Sequence, residues 1–396
     1  MISFHELAWL GVGVEVLLAV AVVLWVRTRA GREEAPRLLC LSDLVVALTV
    51  VGAAAGAKLA LQITLAPRDR FGLIHLVYLD LVVVLPLVGL LLLLVAPGRP
   101  RATRPLLLAV LAACAMAPVG AYASFVEPFA LRLERARIDL PAERAGEAPL
   151  RVGVLADIQT ARVGAHEHRA VERMMALRPD VIVLPGDLYQ GPGSRRESEL
   201  PKLRALLGRL RAPGGVYFVL GDADSRKAMN DHHTRRALAG TGVRLLVNQT
   251  ARVRVRDREL TLGGIELDWR TREARATVRR LAEARGGEDV RLLVSHRPDV
   301  GLSPEAGPRI DLTVAGHTHG GQVQVPFYGP PATASSVPRA VGAGGLHVLG
   351  GRNPIYVSRG VGLERGHAPR IRFLAPPEVS LLEIGERRGA TRPEAP

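Results

Sequence analysis

"DLTVAGHTHGGQ" (residues 311–322) starts as a strand and ends as something a strand does not need. Leu312, Thr313 and Val314 make an apolar, largely β-branched run of the kind that packs well on a pleated, buried surface. Gly316, Gly320 and Gly321 then surround His317 and His319. Glycine permits sharp turns, so two histidines one residue apart can both point at one place. A single histidine has many structural uses. Two His and three Gly in seven residues have little structural reason to coincide, and the stretch reads as a strand delivering two imidazoles to the rim of a sheet.

Five more runs share this form: "LRVGVLAD" (150–157), "DVIVLPGD" (180–187), "GVYFVLGD" (215–222), "ELTLGGIE" (259–266) and "VRLLVSH" (290–296). Helical patterns lie between several of them, at 166–178, 198–211, 226–240 and 271–285. Strands alternating with helices predict an α/β domain whose sheet is buried on both faces. Five of the six runs stop at a residue able to bind metal: Asp157 with Gln159, Asp187, Asp222 with Asp224, His296, and His317 with His319. Strand ends on one sheet edge lie side by side, so these residues can converge. Carboxylates and imidazoles together suit Mn, Fe or Zn, and three His make Mg the poorer match.

Residues 1–126 are different in kind. Stretches at 7–26, 38–61, 73–96 and 105–125 are each about 20 or more apolar residues, the length needed to cross a hydrocarbon core of about 30 Å. The first has no basic leader or small-residue cleavage site, so it reads as an anchor. Loops 27–37 and 97–104 carry most of the arginines between the spans, which puts them in the cytoplasm and both termini outside it. Arg132, Arg135 and Arg137 argue mildly the other way. Asp43, Lys58, His75 and Asp80 lie in or near the spans, with Lys58 and His75 close enough to span ends to snorkel. The expected organisation is a four-span anchor (1–126), a charged linker (127–149), the α/β domain (150–385) and a disordered tail (386–396).

The net charge of +14 in 396 residues falls mostly beyond residue 150 and would favour anionic substrates or lipid headgroups. Nucleic acid is a weaker idea, because aromatics are 4% of the chain and none is interleaved with an arginine cluster. Cys40 and Cys114 sit in apolar runs and form no metal or disulfide pattern.

Taken together, residues 150–383 resemble the calcineurin-like metallophosphoesterases, in particular their bacterial membrane-associated branch. The resemblance extends to "YVSRGVG" (356–362) and "PPEVSLLEI" (376–384) and leaves out the four spans. It implies a four-layer αββα sandwich carrying two divalent metals at one edge, behind an all-α transmembrane region. By position, Asp157, Gln159 and His319 would hold the first metal, Asp187 would bridge, and Asp222, His296 and His317 would complete the second. Asp187, Asp222 and Asp224 would be the catalytic set. The implied reaction is hydrolysis of a phosphate ester, lipid-linked or at a surface, by in-line attack of a metal-bound hydroxide. The enzyme would be a multi-pass cell-membrane protein with its catalytic domain outside the cytoplasm.

Two motifs depart from the family pattern. Where Asp-x-His is usual the chain has "DIQ" (157–159), so Gln159 must ligate through its amide oxygen. Where Gly-Asn-His-Asp is usual it has "GDAD" (221–224). Asp222 adds negative charge, Ala223 removes the acid that helps the leaving group depart, and Asp224 loses the histidine it would orient. His166, His168, His232 and His233 are substitutes to consider, a solvated helix face being the plainer reading of each. A catalytically impaired metal- or phosphate-binding sensor or scaffold is therefore the alternative function. A transporter with a soluble appendage is a third, resting on the intramembrane charges alone.

Overall fold

The structure is a computed structural model that describes residues 3–30, 41–95, 104–225, 231–284, 289–350 and 353–386. It divides into two units, Met1–Val126 with Arg365–Arg370, and Glu127–Glu364 with Ile371–Pro396.

Among the described residues three helical segments are long and apolar enough to cross a membrane, Phe4–Trp25, Arg70–Leu91 and Leu108–Phe129. The fourth expected span, 38–61, falls on the helix Leu41–Leu65. Residues 38–40 and 96 lie outside the described residues. Lys58 does not snorkel. Its ammonium meets Glu15 Oε1 at 2.8 Å and also contacts Asp80, tying three helical segments together. Glu15, which sequence reading passed over, is 1% exposed. A buried lysine needs such partners, because an unpaired charge away from water is far more costly than a paired one. Asp80 opens a π-helical turn, Asp80–Val84, between the helices Arg70–Leu79 and Leu85–Val95.

Among the described residues the second unit has twelve strands. They are β1 (Arg132–Leu140), β2 (Leu150–Val154), β3 (Val181–Leu184), β4 (Val216–Phe218), β5 (Val243–Leu245), β6 (Gln249–Val255), β7 (Arg258–Gly264), β8 (Val290–Val294), β9 (Leu312–Ala315), β10 (Gly345–Leu349), β11 (Asn353–Val357) and β12 (Glu378–Glu386). One sheet has the order β1-β12-β2-β3-β4-β5 and the other β10-β11-β9-β8-β7-β6. Strands β2 to β5 run parallel, as do β7, β8, β9 and β11, so in each sheet the carboxyl ends of the parallel strands share an edge.

Alternation along the strands builds the layers. Val181 and Val183 face the second sheet, packing with Leu260, Leu292 and Val314. Ile182 and Leu184 face outward, against Val171, Met174 and Leu206. The last three lie on the helices Ala165–Ala176 and Gly193–Leu207. On the other outer face the helix Arg272–Ala282 buries Ala274, Val278 and Leu281, a helical stripe, beside Leu293. Thr271 caps this helix by accepting from Ala274 N at 3.1 Å. These layers make the expected αββα sandwich, and strands buried on both faces explain the near-continuous apolar runs.

Residues 127–149 are not a linker. Strand β1 lies within them and pairs in parallel with β12 from Arg132↔Glu378 to Leu140↔Glu386. Its charged residues, Arg132, Glu134, Arg135, Arg137 and Asp139, disguised it, because an edge strand with a solvated face accommodates charge. At the other end Glu386 still belongs to β12, and residues 387–396 lie outside the described residues. So do 226–230 and 285, the beginning and the end of two expected helical patterns.

Candidate active site

The carboxyl ends of β2, β3, β4, β8 and β9 meet across the two sheets, and each is followed by a residue of the expected set. Backbone bonds lace the loops together: Asp157 N donates to Gly186 O (3.1 Å), Gln159 N to Asp187 O (2.7 Å), Gly316 N to His296 O (3.0 Å) and Gly362 N to Asp157 O (2.7 Å). Among the described residues twelve non-glycine residues have positive φ, and Asp157, Gln159, Asp187, His317 and His319 are five of them. Left-handed backbone at non-glycine residues is costly and collects at functional sites. Glycines make the close approach possible. A Cβ on Gly221 would strike the Asp187 side chain and backbone, and one on Gly316 would strike Asp157 Oδ2 and Pro185 O.

Among the described residues two groups bring their donor atoms within 4.8 Å of one another: Asp222, His296 and His317, and Asp157, Asp187 and His296. His296 stands between them, with Nε2 3.4 Å from Asp222 Oδ2 and 3.7 Å from Asp187 Oδ2. Its Nδ1 donates to Pro185 O at 2.7 Å, which fixes the ring and aims Nε2 at these carboxylates. His317 repeats the design: Nε2 donates to Ala334 O at 3.1 Å, and Nδ1 lies 3.0 Å from Asp222 Oδ2. A proton or a metal cation must lie between each imidazole and the carboxylate it faces. That donor chemistry fits divalent metal ions, and carbonyls holding the far ring nitrogens are the usual support for histidine ligands.

The electrostatics agree. Burial pushes Asp157 up to about 6 and Asp187 well above the usual carboxylate range. Against burial, which would lower it, Asp187 and its neighbouring carboxylates raise His296 to about 10. Against burial again, hydrogen bonds from His296, His317 and Arg297 hold Asp222 well below its ordinary value. Burial and then the Arg372 guanidinium push His319 well down, which keeps it neutral.

His319 belongs to neither three-residue group, and it is buried at the same edge as the Gln159 amide. The Gln159 amide nitrogen donates to Gln190 Oε1 (2.9 Å) and Glu364 Oε2 (3.1 Å), so of its two amide atoms the oxygen is the one that could ligate a metal. His319 Nδ1 lies 3.3 Å from Arg372 Nη2, and Nε2 is buried with no hydrogen-bond partner among the described residues.

Asp224 has not been left idle by the absence of a histidine at 223. Its carboxylate is fully buried and accepts from Asp187 N (2.7 Å), Leu188 N (3.0 Å) and Gly221 N (2.8 Å). Ala223 N in turn donates to Asp187 Oδ1 at 2.7 Å. Asp224 therefore positions the loop that carries Asp187. The four substitute histidines are engaged elsewhere. His166 Nε2 meets Val361 O at 3.0 Å, His168 meets Arg209 at 3.0 Å, and His232 and His233 lie on the helix Asp231–Leu238 with their rings edge to face.

Sequence reading missed four residues of the site. Arg297 forks onto Asp222, Gln190 and Glu364 orient Gln159, and Arg372 is fully buried behind His319. Arg372 donates to the carbonyls of Arg359 (2.7 Å), Gly362 (2.6 Å) and Ala375 (2.8 Å), holding "YVSRGVG" against the ligands. Arg297 follows His296 directly in "SHRPD" and was legible as an adjacent cation; the others belong to loops with no readable pattern.

Comparison with known proteins bears on the same residues. A family model described as calcineurin-like phosphoesterase matches residues 150–321, which contain every expected metal ligand. The uncharacterized metallophosphoesterase YkuE of Bacillus subtilis (strain 168) is 30% identical over 211 residues, covering 52% of this chain and 68% of that protein. The phosphodiesterase YaeI of Escherichia coli (strain K12) is 29% identical over 266 residues, covering 66% and 92%. A transmembrane protein with metallophosphoesterase domain from Danio rerio is 30% identical over 199 residues, covering 47% and 44%. Two sandwiched sheets, carboxylates and imidazoles gathered at their shared edge, and these similarities lead to one conclusion: the chain belongs to the calcineurin-like metallophosphoesterase family and is a metal-dependent phosphoric ester hydrolase.

Proposed function

We propose that this hydrolase uses two divalent cations and acts on a phosphate ester at a membrane surface. The observation carrying this is the pair of donor groups that share His296 and place Asp187 beside Asp157. Asp157, Gln159 and His319 would hold one cation, Asp222, His296 and His317 the other, and Asp187 would lie between them. When bound, such cations polarise the phosphoryl oxygens and activate a water for in-line attack. Mn, Fe or Zn suits this donor set better than Mg.

The chain's own residues do the rest. Pro185 and Ala334 carbonyls set the imidazoles, Gln190 and Glu364 set the Gln159 amide, and Asp224 sets the backbone of Asp187. At position 223 the methyl group of alanine can give no proton to a departing oxygen. A missing general acid typically costs about 10²–10⁴-fold. The penalty falls on alkoxide leaving groups and spares aryl esters and phosphoanhydrides, which depart as stable anions. The apolar helices of the first unit would confine the enzyme to substrates near a bilayer, a lipid-linked phosphate among them. The arginines of loops 27–37 and 97–104 favour an extracytoplasmic catalytic domain.

The test uses the full chain in detergent with Mn²⁺, assayed on 4-nitrophenyl phosphate and bis(4-nitrophenyl) phosphate beside Asp187→Asn. Turnover abolished by the substitution is the expected result. Ala223 favours a second reading, a relative that binds metal and phosphate without hydrolysing esters. Mn²⁺ binding with no turnover on either activated ester would establish that reading instead.

A further inference from the structure

Arg297 follows His296 in the chain and grips Asp222 with its fork: Nε donates to Oδ2 at 2.9 Å, and Nη2 donates to Oδ1. Asp222 Oδ2 is also the oxygen 3.0 Å from His317 Nδ1 and 3.4 Å from His296 Nε2. The guanidinium is thus bonded to the carboxylate on which both imidazoles of one donor group converge. Two of its five N–H donors are spent there. The side chain is still 46% exposed, against 11% for Asp222, so the remaining donors on Nη1 and Nη2 are open to solvent at the mouth of the cluster. Ala223, the next residue after Asp222, is 2% exposed and has no donor to offer beyond its backbone.

A structural ion pair alone would not need this placement. The Asp222 carboxylate adds negative charge to the site, and a cation anywhere on its outer side would offset it. A guanidinium with three of its five donors spare, fixed in orientation by a bidentate bond, is instead the usual receiver of a phosphate oxygen. We propose that Arg297 is a phosphoryl-binding catalytic residue of this enzyme, and that it makes phosphomonoesters the preferred substrate class. The inference rests on the phosphoesterase reading above. A phosphomonoester has three non-bridging oxygens and a diester two. With two engaged on the cations, only the monoester keeps one for Arg297, while the diester presents a carbon substituent there.

The test is the affinity of inorganic phosphate for the Mn²⁺-loaded full chain in detergent, by calorimetry, with Mn²⁺ affinity measured first in every variant and Mn²⁺ kept saturating. Arg297→Gln is expected to weaken phosphate binding about 10–100-fold, the worth of a charge-assisted hydrogen bond. The double variant Asp222→Asn with Arg297→Gln removes both charges and is expected to stay equally weak. In the aryl-ester assay the monoester-to-diester ratio of kcat/KM should fall by a similar factor in Arg297→Gln. The proposal is overturned if phosphate affinity in Arg297→Gln stays within about threefold of the wild type, or if the double variant recovers it. Either result would make Arg297 only the counter-charge of Asp222. Binding does not require turnover, so a wild-type chain that binds phosphate without hydrolysing esters would sink the catalytic reading and leave the phosphate-binding role of Arg297 testable.

Discussion

Replacing Asp224 with alanine separates two views of the "GDAD" motif. If Asp224 served only to orient a catalytic histidine, its removal from a chain that has alanine at 223 would change nothing measurable. The structure gives it another task. Its carboxylate accepts three backbone N–H bonds, at 2.7, 3.0 and 2.8 Å, in a fully buried position. Taking away the acceptor leaves three buried donors unsatisfied, at about 1–3 kcal/mol each before relaxation. Water entering the space left by the carboxylate would recover part of that, so a net loss of about 4 kcal/mol is a reasonable expectation. For a unit of this size about 4 kcal/mol corresponds to a fall in Tm of roughly 8–16 °C. Two of the three donors belong to Asp187 and Leu188, so Mn²⁺ affinity should fall together with Tm. Thermal unfolding of the full chain in detergent, with and without Mn²⁺, measures both. A Tm within about 2 °C of the wild type and unchanged Mn²⁺ affinity would refute the reasoning.

Two other perturbations probe the scaffold. Gly316→Ala puts a Cβ against Asp157 Oδ2 and Pro185 O, neither of which can retreat without moving a ligand loop; Mn²⁺ affinity should fall at least tenfold with the strands intact by circular dichroism, and an unchanged affinity would show that the loop can yield. A chain truncated to begin at residue 145 loses β1 and exposes an edge of β12 over the whole Arg132↔Glu378 to Leu140↔Glu386 register, whereas one beginning at 127 keeps it. The shorter fragment should aggregate or melt several degrees lower, and equal melting of the two would mean that β1 adds nothing to the sheet.

What the sequence determined by itself was whatever depends on local pattern. Runs such as "DVIVLPGD" are buried on both faces, so their hydrophobicity is continuous and they stand out between amphipathic helices. The residue after each run marks a strand end whatever the rest of the chain does, and so Asp157, Asp187, Asp222, His296 and His317 were legible one motif at a time. Long apolar helices were legible for the same reason. Tertiary structure decided what depends on partners. Strand β1 exists because β12 offers it an edge, and nothing in its arginine-rich sequence announces that pairing. Glu15 and Lys58 are 43 residues apart and become one ion pair only when their helices pack. Asp224 looked stranded because its expected neighbour is missing, yet its partners are backbone amides, which carry no sequence signature. The same holds for Arg297. A guanidinium beside a histidine could have pointed anywhere, and only the crossing of two sheets at a common edge brings it onto Asp222, 75 residues away in the chain.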